Sequence, residues 1–367
     1  MDDSTASAGN DVTLTAGTDV SVTNGSTVDA GGDQSVTGTA GDITVTNSDL
    51  TADGDLDLLA GGLIQLSTAN LSSGVAPLVT FAPAPTPRIG DMTLTANTGD
   101  IVLTNGTRLQ STGDATLDAQ AAGIEVNNGS SVTAATDVTL SAHTNINLSS
   151  AANLTASAGD LAMTATDGDI SLNSATVIAG GELTGTAGQG IILTDGSQAR
   201  AGSDLSLAAQ GADLTLDNGS DATAASDLTM AAKGSVTLDH GAFAEATSGD
   251  LALAATDGDI TLTNGTRASA AGELTGTAGQ GITVTNGAYL QAGTDLSLDA
   301  QGADLTLDNG SHASAAANLT MAAKGSVTLD HSAFAEATAG DLSITATDGD
   351  VTLSHGARVT AGGTLTA

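Results

Sequence analysis

A repeat of 22 or 23 residues runs through nearly the whole chain and constrains its fold more than any other feature. Each repeat opens with an acidic residue or Asn, which is followed by alternating apolar and polar residues. A unit this short cannot bury an apolar face alone, so successive units must stack as a solenoid. The fifteen opening residues, called the marker column here, are Asp11, Asp33, Asp55, Asp91, Asp114, Asp137, Asp160, Glu182, Asp204, Asp227, Asp250, Glu273, Asp295, Asn318 and Asp341.

Three short strands are predicted in each repeat, of the kinds seen at 227–231, 259–263 and 131–134. Period-2 alternation directs side chains such as Leu228 inward and Thr229 outward. Asn-Gly, Asp-Gly and Gly-Asp pairs are expected to turn the corners, because Gly and Asn tolerate a positive φ. The sequence therefore predicts an all-β fold, a right-handed single-stranded parallel β-helix of about fifteen rungs with three strands per rung.

A longer period of 91 residues, or four rungs, is superimposed on the short one. All four prolines lie in 74–90, and proline cannot donate to a strand ladder, so this segment is predicted to be an inserted loop. A contact loop using Phe81 and Arg88 is the alternative. The predicted organisation is a disordered or capping segment at 1–10, first rungs at 11–73, the Pro-rich loop at 74–90 and further rungs at 91–367, built of blocks 92–182, 183–273 and 274–364.

Composition excludes several classes of function. The formal net charge of −35 opposes contact with nucleic acid phosphates. No apolar run is long enough to span a bilayer, so we expect no membrane span. The chain has no cysteine, which leaves no thiol chemistry. Only five Arg and two Lys are present, so we expect no enzyme activity of the kind that pairs carboxylates with basic residues.

A column of polar residues follows the second strand of each repeat. Each member lies four residues after the first apolar residue of that strand. Eight of its fifteen members are Asn, and three of the five His lie in it. We predict an inward or corner-facing ladder of hydrogen-bonding side chains, with metal ligation or catalysis by the His as the alternative. This corner column comprises Asn24, Asn47, Thr68, Asn105, Asn128, Ser150, Ser174, Asp195, Asn218, His240, Asn264, Asn286, Asn309, His331 and His355.

The marker column poses a question of charge, because like charges at rung spacing repel. Either each Asp caps its own turn through a hydrogen bond, or divalent cations such as Ca²⁺ bridge neighbours. We expect no cofactor, with Ca²⁺ kept as the alternative.

Residue types that are rare in this chain lie at the outward position of the third strand of each repeat. The only Tyr, two of three Phe and three of five Arg lie there, in a column that we assign to Arg108, Ser131, Asn153, Val177, Gln198, Asp221, Phe243, Arg267, Tyr289, His312, Phe334 and Arg358. Stacked aromatic and Arg side chains can form cation–π contacts and resemble interaction hot spots. We predict a binding stripe of Arg108, Phe243, Arg267, Tyr289, Phe334 and Arg358, with packing that shields the corner as the alternative.

Stretches such as Gly249-Asp250-Leu251-Ala252-Leu253 and Asp259-Ile260-Thr261-Leu262-Thr263-Asn264-Gly265 give the chain a family likeness. It resembles the repeat regions of filamentous haemagglutinin-like exoproteins, large Gram-negative proteins exported by two-partner secretion. The resemblance implies a secreted or cell-surface location, an outer-membrane transporter as export partner, and a β-helical shaft of an adhesin. No amino-terminal secretion domain of that family is visible, so we expect an internal piece of a longer protein.

Two functions follow as expectations. The chain is either a passive shaft that displays other domains or an adhesin segment that itself binds a host or bacterial surface glycan or protein. Ice binding through outward Thr-x-Thr ladders and a polysaccharide-acting β-helix enzyme are the alternatives. Unpaired strand edges at the ends of such a solenoid also favour head-to-tail self-association.

Overall fold

A computed structural model describes residues 1–74 and 89–367, and within them all regular structure is β-strand. The chain divides into two compact units, Met1–Glu182 and Leu183–Ala367. The described residues contain no helix of the length and apolar character that crossing a membrane would require.

The first unit contains 22 strands among its described residues. They are β1 (Thr5–Ala8), β2 (Val12–Ala16), β3 (Val20–Thr23), β4 (Thr27–Ala30), β5 (Gln34–Gly38), β6 (Ile43–Thr46), β7 (Asp49–Ala52), β8 (Leu56–Ala60), β9 (Ile64–Ser67), β10 (Asn70–Ser73), β11 (Met92–Ala96), β12 (Ile101–Thr104), β13 (Arg108–Ser111), β14 (Ala115–Ala119), β15 (Ile124–Val126), β16 (Ser131–Ala134), β17 (Val138–Ala142), β18 (Ile146–Ser149), β19 (Asn153–Ala156), β20 (Leu161–Ala165), β21 (Ile170–Asn173) and β22 (Thr176–Ala179).

The second unit contains 25 strands. They are β23 (Leu183–Ala187), β24 (Ile191–Thr194), β25 (Gln198–Ala201), β26 (Leu205–Ala209), β27 (Leu214–Leu216), β28 (Asp221–Ala224), β29 (Leu228–Ala232), β30 (Val236–Leu238), β31 (Phe243–Ala246), β32 (Leu251–Ala255), β33 (Ile260–Leu262), β34 (Arg267–Ala270), β35 (Leu274–Ala278), β36 (Ile282–Val284), β37 (Tyr289–Ala292), β38 (Leu296–Ala300), β39 (Leu305–Leu307), β40 (His312–Ala315), β41 (Leu319–Ala323), β42 (Val327–Leu329), β43 (Phe334–Ala337), β44 (Leu342–Ala346), β45 (Val351–Leu353), β46 (Arg358–Ala361) and β47 (Leu365–Thr366).

Every third strand is a lateral neighbour, so each unit has three parallel sheets. In the first unit the sheets begin β2-β5-β8, β3-β6-β9 and β1-β4-β7, and in the second β23-β26-β29, β24-β27-β30 and β25-β28-β31. The predicted parallel β-solenoid of about fifteen rungs, with three strands per rung, is therefore confirmed. Within the first ten residues, Thr5–Ala8 pairs in parallel with β4, which excludes the disordered alternative for that strand.

Inward side chains in each unit are small aliphatic groups. Leu228 and Met230 are fully buried, whereas the intervening Thr229 is exposed, as the alternation predicts. Aromatic residues contribute nothing to the core of the described chain, which is built of Val, Ile, Leu, Met and Ala. Burial of such aliphatic surface stabilises each rung by about 25 cal/mol for every Å² removed from water.

The Pro-rich segment does not interrupt the ladder on either side of it. Strand β10, which ends just before it, pairs with both β7 and β13, and β11 pairs with both β8 and β14. Residues 75–88, including Phe81 and Arg88 of the proposed contact loop, lie outside the described residues, so both interpretations of 74–90 stay predictions.

The corners differ from the prediction in one respect. Asn-Gly pairs do have positive φ, for example 54° at Asn218 and 72° at Gly219. The glycines of the Gly-Asp pairs, such as Gly249, do not have a positive φ. Gly249 instead lies against the preceding rung, where an added Cβ would meet Asp227 Oδ1 at 2.0 Å. The prediction of positive φ was therefore wrong for the Gly-Asp pairs, and in some of them, as at Gly249, the glycine instead accommodates a carboxylate.

That carboxylate belongs to the marker column, which links successive rungs. In twelve cases Oδ1 of an Asp or Asn marker accepts a hydrogen bond from the backbone N–H of the next marker, and Asp341 accepts one from Thr364, with N–O distances of 2.7–3.1 Å. The bond runs to the next rung, not within the residue's own turn as the capping hypothesis had it. Charge-assisted bonds of this kind offset the repulsion between neighbouring carboxylates. Bridging by Ca²⁺ stays a prediction.

A second carboxylate column, which sequence reasoning missed, precedes strand two. Asp19, Asp100, Asp213, Asp259 and Asp304 accept hydrogen bonds from backbone N–H groups of the next rung at 2.7–3.0 Å. The signal was present in the sequence, because each of these Asp also directly precedes the first apolar residue of a strand.

Candidate functional site

The corner column lies on the surface, where strand two ends. All fifteen of its residues are exposed and have φ between 43° and 57°. The inward alternative is therefore wrong, and the side chains face solvent at the corner. Asn is frequent here because it adopts the left-handed conformation more readily than other residues with a Cβ.

Some of the corner amides are directly connected to one another. Asn309 Nδ2 donates to Asn286 Oδ1 at 2.7 Å, and Asn286 Nδ2 donates to Asn264 Oδ1 at 3.2 Å. Others bond to a side chain of the preceding rung: Asn24 to Asp2, Asn105 to Ser67, Asn128 to Thr104, and Asn218 to Asp195. Asn47 lies at the same corner position with φ 49°.

The three His of the corner column contact carboxylates. His240 Nδ1 lies 2.9 Å from Asp217, His331 Nδ1 lies 3.0 Å from Asp308, and His355 Nδ1 lies 2.6 Å from Asp330. A hydrogen bond from the Ser354 hydroxyl to Asp330, with further contributions from His355 and His331, lowers the pKa of Asp330 to about 2. This carboxylate therefore stays ionised at any physiological pH.

The stripe residues of the second unit occupy the first position of strands β31, β34, β37, β43 and β46. Residues paired across the sheet at this position run Asp221, Phe243, Arg267, Tyr289, His312, Phe334 and Arg358. The two Arg are exposed, and Phe243, Tyr289, His312 and Phe334 are half-buried. Arg108 has the corresponding position on β13 of the first unit, between Asn70 and Ser131.

Five of these side chains form one continuous ring stack, defined here as Arg267, Tyr289, His312, Phe334 and Arg358. The Arg267 guanidinium lies 5.6 Å from the centre of the Tyr289 ring, and the Arg358 guanidinium lies 5.6 Å from that of Phe334. Between them, His312 lies 5.2 Å from Tyr289 and 4.6 Å from Phe334, measured between ring centroids. The Tyr289 and His312 rings are stacked within 19° of parallel, whereas the His312 and Phe334 rings are tilted by 48°.

His312 completes the stack, although sequence reasoning assigned it no binding role. It was placed in the outward column but left out of the predicted binding stripe, so the continuity was missed. Burial lowers the pKa of His312 below its ordinary value of 6.5, partly opposed by the Glu336 carboxylate, and favours a neutral ring.

One residue of the predicted outward column was assigned wrongly. Val177 is fully buried, and Thr176 takes the outward place beside Asn153.

The ring stack is bordered by polar groups on the same sheet. Glu245, Gln291 and Glu336 occupy the next outward position of β31, β37 and β43. Arg267 donates to Gln291 Oε1 at 3.0 Å, which holds its guanidinium over Tyr289. The result is a narrow surface of half-buried rings and neighbouring polar groups, repeating at the rung spacing of about 4.8 Å.

Comparison with known proteins bears on the first unit. No curated protein matches the chain, and no solved structure matches it. Residues 15–73 match the model of the family described as Hemagglutinin repeat. This match confirms the resemblance to the repeat regions of filamentous haemagglutinin-like exoproteins over residues 15–73.

Proposed function

We propose that this chain is an adhesive segment of the shaft of a secreted or cell-surface protein of a Gram-negative bacterium. The Hemagglutinin repeat match and the β-solenoid fold fit an adhesin-like shaft. Export through an outer-membrane transporter by two-partner secretion belongs to the same proposal. Its role is structural and adhesive, not enzymatic.

The observation that carries adhesion is the ring stack. Aromatic and Arg side chains dominate the energetics of recognition surfaces. This chain is 1% aromatic, yet its only Tyr and two of its three Phe are placed outward on one sheet. None of them is needed for the core, which is aliphatic throughout the described residues.

The shape of the ring stack favours an extended ligand. Its contacts repeat along the sheet, so a ligand that lies across several rungs would meet the same chemistry at each step. An oligosaccharide or an extended peptide on a host or bacterial surface has this form. Arg267 and Arg358 provide hydrogen-bond donors at the two ends of the stack, on a chain of net charge −35.

Binding to a glycan panel, including sialylated and sulfated glycans, and to epithelial and bacterial cells tests this proposal. The test variant is F243A/Y289A/F334A. Its matched control is T229A/T275A/T320A, which changes outward residues of the same three rungs on another sheet. Saturable binding that the control retains and the test variant loses supports an adhesin. Binding that survives in the test variant, or no binding by any variant, would contradict it.

Ice binding is a second candidate, favoured by one observation. In seven successive rungs the middle residue of the second strand is a threonine. These residues are Thr215, Thr237, Thr261, Thr283, Thr306, Thr328 and Thr352. The companion position two residues later is interrupted by Asp217, Asp239, Asp308 and Asp330. Thermal hysteresis of the native chain, lost in T261V/T283V/T306V, would favour ice binding over adhesion.

A further inference from the structure

Two imidazole rings of the second unit lie parallel at the corner of successive rungs. The His331 and His355 ring centroids are 4.8 Å apart and the rings are inclined by only 5°. Their backbones have φ of 43° and 44°, so the left-handed corner sets the direction of both side chains. The rings themselves are exposed, with 58% and 69% of the side-chain surface accessible.

The Asp330 carboxylate contacts both rings through their Nδ1 atoms. Its Oδ1 is 2.6 Å from His355 Nδ1, and its Oδ2 is 3.3 Å from His331 Nδ1. Oδ1 also accepts hydrogen bonds from the His331 backbone N–H and the Ser354 hydroxyl, both at 2.8 Å. One nitrogen or oxygen atom from each of Asp330, His331 and His355 lies within 4.8 Å of the other two.

Two imidazole nitrogens and a carboxylate oxygen are a ligand set that zinc prefers. Zinc binds His at about 2.0–2.1 Å and carboxylate oxygen at about 2.0–2.2 Å, so its ligand atoms lie roughly 3.4 Å from each other in a tetrahedron. The 3.3 Å distance from His331 Nδ1 to Asp330 is of that size, and the 2.6 Å distance from His355 Nδ1 is shorter. Calcium requires six or more oxygen ligands and does not select imidazole.

We propose that Asp330, His331 and His355 form a zinc site at the corner of the solenoid. Asp308, whose Oδ1 lies 3.0 Å from His331 Nδ1, is available as a further carboxylate ligand. Hydrogen bonds from Ser354 and the His331 backbone orient the Asp330 carboxylate, in the way that outer partners orient metal ligands generally. The site joins two successive rungs, so zinc binding stabilises the folded chain.

The chain offers its own control for this site, one 91-residue period earlier. There Asp217, Asp239 and His240 repeat Asp308, Asp330 and His331, but Asn264 stands in place of His355. The Asn264 amide donates to Asp239 Oδ1 at 2.7 Å, so it presents a hydrogen-bond donor where the other site presents an imidazole nitrogen. The earlier cluster therefore has one imidazole ligand and should bind zinc more weakly.

The substitution H355N converts the proposed site into its weaker counterpart. Asn is the most frequent residue of the corner column and H355N keeps the left-handed turn, so the fold should persist. Because even the partners of metal ligands contribute about 10–100-fold to affinity, loss of the His355 ligand should weaken zinc binding about tenfold or more. Titration calorimetry with Zn²⁺ alone, repeated with Ca²⁺, measures this, and circular dichroism checks the fold.

The reciprocal substitution N264H sharpens the test. It should add a second zinc ion of similar affinity, because two parallel imidazoles would then border the Asp239 carboxylate. Imidazole NMR signals identify the ligands, since only five His are present. Equal zinc affinity of H355N and the native chain would overturn the proposal. Failure of N264H to gain a zinc ion would contradict the claim that two imidazoles and one carboxylate suffice.

Discussion

The two four-rung blocks of the second unit, 183–273 and 274–364, share one scaffold and differ on its surface. Their core strands are nearly the same, as in Leu228-Thr229-Met230 and Leu319-Thr320-Met321. The outward column differs: Gln198 and Asp221 in the first block correspond to Tyr289 and His312 in the second. Phe243 and Phe334 are the same position in both.

This difference decides which block has a ring stack. In the first block, Asp221 pairs with Arg200 at 2.8 Å, and Phe243 lies between Asp221 and Arg267 across its sheet. In the second block, Tyr289, His312 and Phe334 stack between Arg267, near the end of the first block, and Arg358. Inward positions are constrained by stacking of rungs, whereas outward positions are free to diverge after duplication. Surface chemistry can therefore change without altering the fold.

The largest expected effect is on the interior beneath Tyr289. Leu290 is 1% exposed, and Ala199 holds its place in the first block. L290A should destabilise the local fold by about 2–5 kcal/mol, because it removes buried methyl groups and leaves a cavity. Amide hydrogen exchange of β37 measures this locally, with β25 as the internal reference. If amide protection in β37 were the same in L290A and the native chain, the expected loss of local stability at Leu290 would be contradicted.

Exchanging the outward residues between the blocks should transfer binding. Y289Q/H312D gives the second block the residues of the first and should weaken binding of a panel ligand about 30-fold, as expected for loss of about 2 kcal/mol at a hot spot. Q198Y/D221H should increase the ligand bound per chain. Surface plasmon resonance with the ligand selected from the panel measures both. Equal affinity of Y289Q/H312D and the native chain would mean that the stack is packing alone.

A smaller effect is expected at the corner amides. Asn309 has φ 50° and donates to Asn286, whereas its counterpart Asn218 donates to Asp195. N309A should cost about 1 kcal/mol of unfolding free energy, because Ala loses the hydrogen bond and tolerates the left-handed conformation poorly. N309G, which relieves the backbone strain, is the control and should cost less. Urea denaturation that ranks Ala equal to Gly would contradict this account.

The smallest expected effect is a pH dependence carried by His312. Burial lowers its pKa in the folded chain below 6.5, so the unfolded chain binds the proton more readily. Its contribution to stability should therefore fall as pH decreases through 6.5 towards the folded pKa, and be constant below that. H312N should remove this component of the pH profile. An NMR titration that places the His312 pKa at or above 6.5 would contradict the burial argument.

The repeat was sufficient to predict the fold, because marker spacing and alternation specify which side chains face inward. Val177 was misplaced because the corner at Ser174 is one residue shorter than the corner at Ser150, so its outward residue comes two residues later and not three. The marker bonds to the next rung and the second carboxylate column depend on distances between rungs, which one repeat does not reveal. The continuity of the ring stack through His312 depended likewise on side-chain packing across the sheet.

Fluorescence of Tyr289 shows whether a bound ligand contacts the ring stack. The chain has one Tyr and no Trp, so tyrosine emission reports on the ring stack alone. A ligand selected from the panel should change this emission saturably, with the same affinity that calorimetry gives. A ligand that binds by calorimetry and leaves Tyr289 emission unchanged would contradict the assignment of adhesion to the stack.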